Sequence, residues 1–420
     1  MKVLWIVNIV MPRLCEHLDI PVAASGSWLV DIADCLEKDE DIQLAVACVY
    51  GDKFRKITLQ NTTYYMLPGN GKDMIFYRKK FEKMWQDICN DFSTDIVHIH
   101  GTEYAHGLSF MRACGNVPAV ISIQGVMNKI KDCDFADVPF KNYLFGRTLR
   151  QWTHFNGEIE SHILHKQNAR FEKEMFSRAV AANGTGLWDT SVAKRLNPNI
   201  KIYKIDYNLR DNYYKSEKWD IEKVERHTIF TNPAGTPLKG LHKLITAAAL
   251  IKNKYPDIKI KVPGLTGKDE NVIISSAYTR YLFRLIEKTG MKNHIEFLGR
   301  QTAEQMAQNA LSANVTVIPS AIEGTSLVLR EAMFLGCPCI ASFRGGMGEY
   351  VQNGQDGFLY NFSDYEVLAA LIEKLFDDDE LCKKISAAAI EKSAKVHKRD
   401  ANPAAYKDMY KEILADSKGM

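Results

Sequence analysis

Short apolar runs recur along the chain and alternate with longer segments in which apolar side chains return every three or four positions. The first pattern is typical of strands buried on both faces of a parallel sheet, and the second is typical of amphipathic helices. The apolar runs predict strands at 2–8, 42–50, 56–67, 95–101, 119–123, 179–183, 201–205, 227–232, 258–262, 294–298 and 314–318. The periodic segments predict helices at 74–89, 187–196, 241–251, 303–311 and 400–420. This alternation favours an α/β fold whose parallel sheets are covered by helices.

The alternation is interrupted once, between residues 208 and 226, where charges of both signs appear without a clear period. A chain of 420 residues also exceeds the usual size of one hydrophobic core. We therefore predict a first domain at 1–207, a linker at 208–226 and a second domain at 227–395. Residues 396–420 are predicted to form a terminal helix.

Composition and charge narrow the class of protein. A formal net charge of +3 is too small to favour a nucleic-acid partner. The nine cysteines show no paired spacing apart from Cys337 and Cys339, which favours free thiols and a reducing compartment. No apolar run is long enough to span a bilayer, and residues 1–13 lack a small-residue cleavage site immediately after them. These features predict a cytoplasmic protein.

The stretch 314–360 contains the strongest candidate site. Its strand at 314–318 leads into a loop that carries Glu323, and a helix is predicted to begin after Thr325 or Ser326, either of which could cap it. Glu331 then lies about one turn inside that helix. A strand, a turn of small residues and a helix start expose backbone N–H groups at the positive end of the helix dipole, which suits a diphosphate. The two carboxylates are suited to accept hydrogen bonds from sugar hydroxyl groups.

This stretch resembles the retaining glycosyltransferase family 4. The signature of that family is a Glu, seven residues and a second Glu, preceded by Pro-Ser and followed by a Gly-Gly-x-x-Glu turn. The matching residues are Pro319, Ser320, Glu323, Gly324, Leu327, Glu331, Ala332, Gly336, Pro338, Gly345, Gly346, Glu349 and Gly357. The resemblance implies that Glu323 contacts the donor sugar, that Glu331 contacts the ribose, and that the segment from Gly324 through Thr325 and Ser326 to Leu327 binds the donor.

Other donor-site positions follow from the same resemblance. Lys239, in the loop before the 241–251 helix, is expected to neutralise the diphosphate, and Gly299 with Arg300 matches the nucleobase site. Gly26, at the start of a helix in the first domain, is expected near the phosphates.

The chain departs from the family where an arginine normally precedes the lysine. Pro233 and Ala234 occupy those positions, and Arg210, Arg300 and Arg344 are all open as substitutes.

A second polar cluster is predicted in the first domain. His100, Glu103, His106 and Gln124 follow two strands at the edge where open α/β sheets bind ligands. The family commonly has a histidine at the position of Gln124, which touches the transferred sugar or the acceptor. An amide can hydrogen-bond a sugar but cannot act as a general base. Glu323, Lys239, Gln124 and His100 form the predicted catalytic set.

Segment 140–155 interleaves Lys141, Arg147 and Arg150 with aromatic residues. Both a helix that meets anionic lipid headgroups and an amphipathic helix packed on its own domain fit this composition. The nearby motif from Asp132 to Asp134 has the spacing of a metal-binding pair but does not follow a predicted strand, so we interpret it as a solvated loop.

Taken with the predicted elements, the resemblance implies the GT-B fold, with two Rossmann-like parallel-sheet domains facing across a cleft and a last helix that crosses back to the first domain. It also implies a retaining, metal-independent transfer of a sugar from a nucleoside-diphosphate sugar to a glycan or lipid-linked glycan, in surface or capsular polysaccharide synthesis, with no cofactor. A peripheral contact with the inner membrane face through 140–155 is compatible with such an acceptor. A sugar-nucleotide 2-epimerase of the same fold and a sugar-nucleotide-binding protein without turnover are the alternatives.

Overall fold

A computed structural model of the chain describes residues 1–22, 28–266, 276–324 and 326–418. The chain divides into two compact units. The first unit comprises Met1–Lys129, His165–Arg210 and His397–Met420, and the second comprises Ile130–Leu164 and Asp211–Val396.

The helices and strands alternate along most of the chain. The strands are β1 (Lys2–Ile6), β2 (Gln43–Val49), β3 (Arg55–Leu59), β4 (Thr62–Leu67), β5 (Ile96–His100), β6 (Ala119–Ser122), β7 (Ala181–Gly184), β8 (Lys201–Lys204), β9 (Glu225–Thr231), β10 (Lys259–Pro263), β11 (Ile295–Gly299), β12 (Ala313–Ile318), β13 (Cys339–Ser342) and β14 (Phe358–Tyr360). The α-helices are α1 (Pro12–His17), α2 (Trp28–Glu37), α3 (Gly71–Ile75), α4 (Lys80–Phe92), α5 (His106–Ala113), α6 (Met127–Ile130), α7 (Phe140–Phe145), α8 (Leu149–His154), α9 (Glu158–Arg178), α10 (Leu187–Leu196), α11 (Asp211–Lys215), α12 (Leu241–Ile251), α13 (Ala277–Thr289), α14 (Ala303–Ser312), α15 (Leu327–Leu335), α16 (Met347–Tyr350), α17 (Tyr365–Asp377), α18 (Asp379–Val396) and α19 (Ala401–Lys418).

The sheet of the first unit has the order β3-β4-β2-β1-β5-β6-β7-β8 in the described residues. Only the pair of β3 and β4 is antiparallel there, and the other neighbours run parallel. Separate hydrophobic clusters cover its two faces. The chain moves outward from β1 in one direction and restarts at β5 beside it, so the loops after β1 and β5 lie at a topological switch point, where open α/β sheets bind ligands.

The sheet of the second unit is parallel throughout its described strands, with the order β11-β10-β9-β12-β13-β14. Here the chain moves outward from β9 and restarts at β12 beside it. The loops after β9 and β12 therefore lie at the switch point of this sheet. The carboxylate-bearing loop predicted from the sequence is the one after β12.

The last helix, α19, packs in the first unit. Its Tyr406, Met409 and Tyr410 are buried. The Tyr410 hydroxyl accepts a hydrogen bond from Trp5 Nε1 at 3.0 Å and lies 2.6 Å from His98 Nδ1. This helix thus covers one face of the first sheet through buried aromatic and polar contacts.

The segment predicted as a linker, 208–226, is not a free connection. It contains α11, and its Trp219 is buried in the core of the second unit. Trp219 Nε1 donates to the Ala313 carbonyl at 2.8 Å, and the Trp219 backbone N–H donates to the Leu335 carbonyl at 2.7 Å. The sequence pattern did not reveal that this segment is buried, because a single apolar residue among mixed charges does not produce a periodic pattern.

Residues 130–164 belong to the second unit, although the sequence analysis assigns them to the first domain. Gln151 Oε1 accepts from the Ala277 N–H at 3.0 Å, and Glu158 Oε1 accepts from the Tyr278 N–H at 2.9 Å. These N–H groups begin α13 and have no partner within their own helix, so the segment satisfies them.

The predicted solvated loop at Asp132–Asp134 is also partly wrong. Asp134 is buried and lies 2.8 Å from His162 Nδ1, so this carboxylate is a structural partner within the 130–164 segment.

Candidate functional site

The loop after β12 is held by two glycine contacts. A Cβ built at Gly240 would lie 1.7 Å from the Pro319 carbonyl oxygen, and one built at Gly345 would lie 1.9 Å from the Glu323 carbonyl oxygen. Gly240 also has a positive φ of 69°, which other residues rarely adopt. The loop after β9 and the turn after β13 therefore approach the Glu323 loop at backbone distance, which explains why glycine stands at both positions.

Glu323 lies at the centre of a side-chain network. Its Oε1 accepts from Lys239 Nζ at 2.6 Å and from Ser320 Oγ at 2.8 Å. Asn232 Nδ2 in turn donates to Ser320 Oγ at 2.9 Å. The Lys239 and Glu323 side chains, for which the sequence predicts separate tasks, are thus joined in an ion pair. Ser320 and Asn232 orient this pair, a role that only their spatial contact reveals.

Helix α15 begins and ends at the residues that the sequence predicts. Ser326 caps it by accepting from the Leu329 N–H at 3.4 Å, and Gly336 follows its last residue. Glu331 is 2% exposed and lies in the second turn of the helix, rather than on a solvated face. The first N–H groups of α15 point back toward the loop of Glu323 and Gly324, which makes this helix start suitable for an anion. Thr325 lies outside the described residues.

Gly299 ends β11, two strands away from β9 in the second sheet. Its N–H donates to the Leu265 carbonyl at 2.8 Å, and its carbonyl accepts from the Gly264 N–H at 2.7 Å. Both backbone groups of Gly299 are therefore already paired. Because a carbonyl oxygen can accept a second hydrogen bond, a backbone contact with a nucleobase at this place would use the Gly299 carbonyl or the backbone of Arg300, which is exposed.

Pro233 and Ala234, in the loop after β9, stand where the family has its arginine. Ala234 is fully buried, so a side chain at this position of the loop after β9 lies in the hydrophobic core. The Arg344 guanidinium lies 5.9 Å from the centre of the Phe362 ring, and that ring lies 3.1 Å from a Cβ built at Gly240. Arg344 is thus linked through one side chain to the loop of Lys239, and Arg210 and the exposed Arg300 stay open as substitutes as well.

His100 is buried against aromatic side chains of the first unit. Its ring is 2% exposed, stacks on His98 at 4.1 Å between ring centres and lies 4.4 Å from Trp5. Burial lowers the pKa of His100 to about 3, so the ring is neutral at physiological pH. His106 is buried as well, with Nε2 3.3 Å from the Val7 carbonyl oxygen and a pKa lowered by burial to about 4.

Glu103 and Gln124 do come together, on either side of Gly101. A Cβ built at Gly101 would lie 2.3 Å from Glu103 Oε2 and 3.2 Å from Gln124 Oε1. Burial raises the pKa of the Glu103 carboxyl to about 7, and the nearby Glu172 adds to this shift. Glu103 was not in the predicted catalytic set, although its place after β5 was visible in the sequence. Gly26 lies outside the described residues.

Two further searches cover the described part of the chain. No group of three or more His, Cys, Asp or Glu side chains is arranged there to hold a metal ion. No helix in the same residues is both long and apolar enough to cross a membrane. All nine cysteines are free, and Cys337 and Cys339 are fully buried.

Comparison with known proteins adds family information to this geometry. Residues 215–392 match the family described as Glycosyl transferases group 1. The D-inositol 3-phosphate glycosyltransferase of Corynebacterium urealyticum is 32% identical over 143 residues, which cover 34% of this chain and 33% of that protein. The chain thus spans about a third of the length of the first curated relatives it matches.

Solved structures resemble the chain over nearly its whole length. Sucrose-phosphate synthase from Thermosynechococcus elongatus has a TM-score of 0.75 and 14% identity, covering 99% of this chain and 100% of that one. HepE from Anabaena, solved with UDP and glucose, has a TM-score of 0.68 and 15% identity, covering 98% and 100%. At such identities the likeness shows the fold alone. That fold is GT-B, with its Rossmann-like parallel-sheet domains, as the sequence predicts.

Proposed function

We propose that this chain is a retaining glycosyltransferase that binds a nucleoside-diphosphate sugar on its second unit and transfers the sugar to a glycan or lipid-linked glycan. The observation that carries the proposal is the Lys239–Glu323 ion pair beside the start of α15, at the switch point of the second sheet. The match of 215–392 to the group 1 glycosyltransferases supports it, since these residues include the whole cluster. HepE, solved with UDP and glucose, supports a donor of this chemical class.

The geometry supports separate roles for the groups that surround the leaving diphosphate. As the bond from the sugar C1 to the diphosphate breaks, negative charge develops on the diphosphate. An ammonium group has three N–H donors, so Lys239 can keep Glu323 Oε1 as a partner and donate to a phosphate oxygen as well. The N–H groups at the start of α15 add a second favourable term. Arg344 supplies the further cation that Ala234 cannot.

The carboxylates recognise hydroxyl groups in this proposal. Glu323 holds the donor sugar and Glu331 holds the ribose, because an ionised carboxylate only accepts hydrogen bonds. The acceptor oxygen attacks C1 on the face from which the diphosphate leaves, and its proton passes to the departing phosphate oxygen. The new C1–O bond therefore has the configuration of the bond that broke.

An exposed apolar surface in 130–164 supports a lipid-linked acceptor. Its large side chains, exposed by 41–80%, are Phe140, Leu144, Phe145, Leu149, Trp152, Phe155 and Ile163. Lys141 is exposed beside them, while Glu160 is neutralised by Arg147. Aromatic side chains with an uncompensated cation favour contact with anionic lipid headgroups. We call this surface the aromatic patch and propose that it holds the protein at the inner membrane face, where surface polysaccharide is assembled.

Ligand-dependent thermal unfolding tests the donor site. The native chain, Glu331→Gln and the exposed control Glu366→Gln are each unfolded with UDP, GDP, ADP or CMP. One nucleotide at a hundred times its Kd should stabilise the native chain by about 2.7 kcal/mol. Glu331→Gln should lose most of that gain, because a charged hydrogen bond to the ribose is worth about 1.5–3 kcal/mol.

Each shift is compared with the same variant without nucleotide, which removes the direct effect of the substitution on stability. Stabilisation by none of the four nucleotides would overturn the proposal. Nucleotide binding without any turnover of the sugar donor would instead favour a binding protein, and turnover to an epimeric sugar nucleotide would favour an epimerase.

A further inference from the structure

The helices α4 and α5 lie side by side in the first unit, in matching register. Trp85 Nε1, on α4, donates to Ser109 Oγ, on α5, at 2.9 Å, and the centre of the Trp85 ring lies 5.7 Å from that of Phe110. Gln86 Nε2 donates to the Ala113 carbonyl at 3.3 Å. The last turn of α4 therefore faces the end of α5.

A cysteine stands at each of these helix ends. Cys89 lies in the last turn of α4, and Cys114 directly follows the last residue of α5. Cys114 is 4% exposed in a hydrophobic cluster, and Cys89 is half-buried against the same cluster. The two thiols are hydrogen-bonded to each other. One cysteine of the pair is thus accessible from solvent, and the other is enclosed.

The two thiols differ in acidity. The hydrogen bond from the Cys114 thiol stabilises the Cys89 thiolate and lowers the pKa of Cys89. The same hydrogen bond, together with burial, raises the pKa of Cys114. Burial also raises the pKa of the other seven cysteines, which are Cys15, Cys35, Cys48, Cys133, Cys337, Cys339 and Cys382. Because the thiolate is the nucleophile in thiol–disulfide exchange, Cys89 is the cysteine best suited to attack a disulfide.

We propose that Cys89 and Cys114 are a redox-active pair, which forms a disulfide bond when the chain meets a low-molecular-weight disulfide of the glutathione type. The Cys89 thiolate attacks one sulfur of that disulfide, which forms a mixed disulfide on Cys89 and releases a small thiolate. Cys114 then gives its proton to the released thiolate, and its sulfur attacks Cys89 Sγ and displaces the second small thiolate. In sum, two cysteine thiols are oxidised by two electrons, and the small disulfide is reduced to two thiols that carry the two cysteine protons.

The pair that is closest in the sequence cannot follow this course. Cys337 and Cys339 are fully buried, so a small disulfide does not reach them. Cys337 Sγ lies 3.2 Å from Thr316 Oγ1, and Cys339 Sγ donates to the Cys337 carbonyl at 3.1 Å. Each of these thiols therefore has an oxygen partner, and the two cysteines serve as an internal control.

The disulfide makes the stability of the first unit depend on redox conditions. It joins the last turn of α4 to the end of α5, and such a cross-link restricts the conformations of the unfolded chain. The oxidised chain should therefore unfold at a higher denaturant concentration than the reduced chain. Both helices belong to the first unit, so the inference does not rest on the proposed transferase function.

Mass spectrometry tests the pair directly. The native chain is incubated with defined mixtures of reduced and oxidised glutathione, quenched with acid, alkylated with iodoacetamide under denaturing conditions and digested with trypsin. Trypsin cleaves at Arg112, so Cys89 and Cys114 fall in the separate peptides 84–112 and 113–129. We expect to recover these peptides joined, with a mass two hydrogen atoms below the sum of their reduced masses.

Single variants test the order of the steps. Cys114→Ser should stop at the mixed disulfide on Cys89, because no second thiol displaces the small thiolate. Cys89→Ser should leave Cys114 reduced, because the remaining thiol is buried. Cys35→Ser, which removes a half-buried cysteine of the same unit, should form the disulfide as the native chain does. The peptide 331–344, with its two buried cysteines, should stay reduced throughout.

Two results would overturn the pair. One is recovery of 84–112 and 113–129 as separate alkylated peptides at every glutathione ratio. The other is a mixed disulfide that persists on Cys89 of the native chain, which would make it a single reactive thiol. Either result leaves the proposed donor site intact, since nucleotide binding is measured separately.

Chemical denaturation tests the effect on stability. The unfolding midpoint of the native chain should be higher after oxidation, and the midpoint of Cys89→Ser should be the same under both conditions. Equal midpoints for the oxidised and reduced native chain would overturn the stabilising role.

Discussion

Single contacts decide how the candidate residues can act. Lys239 and Glu323 are separated by 84 positions, yet their charged atoms lie 2.6 Å apart. The ion pair contributes little to stability, because Lys239 is 37% exposed and such pairs are worth about 0–1 kcal/mol. Its value is in orientation, since it holds the ammonium group and the carboxylate at one place.

Substitution of Lys239 and Glu323 should separate binding of the nucleotide from transfer of the sugar. Lys239→Ala removes a cation from the diphosphate and should weaken nucleoside-diphosphate binding about 10–100-fold. Glu323→Gln keeps a hydrogen-bonding side chain beside Lys239 and should lower kcat for transfer with little change in that affinity. Calorimetric titration and initial rates measure the two effects. Lys288→Ala, an exposed lysine on α13, is the control. Equal nucleotide affinity in Lys239→Ala and the native chain would contradict the assigned role.

The packing of α7 and α8 explains where the apolar surface of 130–164 lies. Gln151 and Glu158 satisfy the first N–H groups of α13, and His242 Nε2 lies 2.8 Å from the Ala136 carbonyl oxygen. These contacts hold α7 and α8 on the second unit and leave their aromatic residues exposed. The aromatic patch is therefore carried by the unit that we expect to bind the donor.

The aromatic patch should bind anionic vesicles. Sedimentation with phosphatidylglycerol–phosphatidylcholine vesicles should recover the native chain, and high salt should weaken the binding because exposed charges are screened. Phe145→Ser and Leu149→Ser should each reduce partitioning about tenfold or more, since burial of such a side chain is worth about 1.5–3 kcal/mol. Leu250→Ser, exposed on α12 of the same unit, should bind like the native chain. Equal loss in all three variants, or none in the first two, would argue against a lipid partner.

On the scale of the whole molecule, α19 packs against β1, the first strand of the chain. Tyr410, on α19, pairs with Trp5 and His98 inside the first unit. Burial lowers the pKa of His98 well below its usual value, so this contact is a neutral hydrogen bond rather than an ion pair. The first unit is thus completed only when the last helix has packed, which places its stability partly in the final residues.

Removal of the Tyr410 hydroxyl should destabilise the first unit without affecting nucleotide binding. Tyr410→Phe leaves two buried polar groups without their partner, and each unpaired group lowers the free energy of unfolding by about 1–3 kcal/mol. Chemical denaturation should show the lower stability, while the Kd for nucleoside diphosphate on the second unit should stay unchanged. The exposed Tyr50→Phe is the matched control. A change in nucleotide affinity as large as the change in stability would show that the two units do not behave independently.

Much of the fold could be predicted because the spacing of apolar residues and the residues at helix ends depend on neighbours that are close in the sequence. The bounds of α10 and α12 are those predicted, since apolar periodicity marks a buried helix face and glycine or proline marks its ends. The predicted helix at 74–89 was wrong in one respect: it is broken into α3 and α4, because Phe76 takes an extended conformation that its own sequence pattern does not signal. The site residues themselves stay predictions.

The sequence by itself determined the α/β class, the parallel sheets and the order of motifs in the 314–360 stretch, because burial period and helix caps depend on neighbours a few residues away. Only the tertiary structure decided which distant groups meet. It paired Lys239 with Glu323 and packed the His100 ring against His98 and Trp5. Such contacts depend on strand order and on the angle at which each loop leaves its sheet, and a linear pattern carries neither quantity.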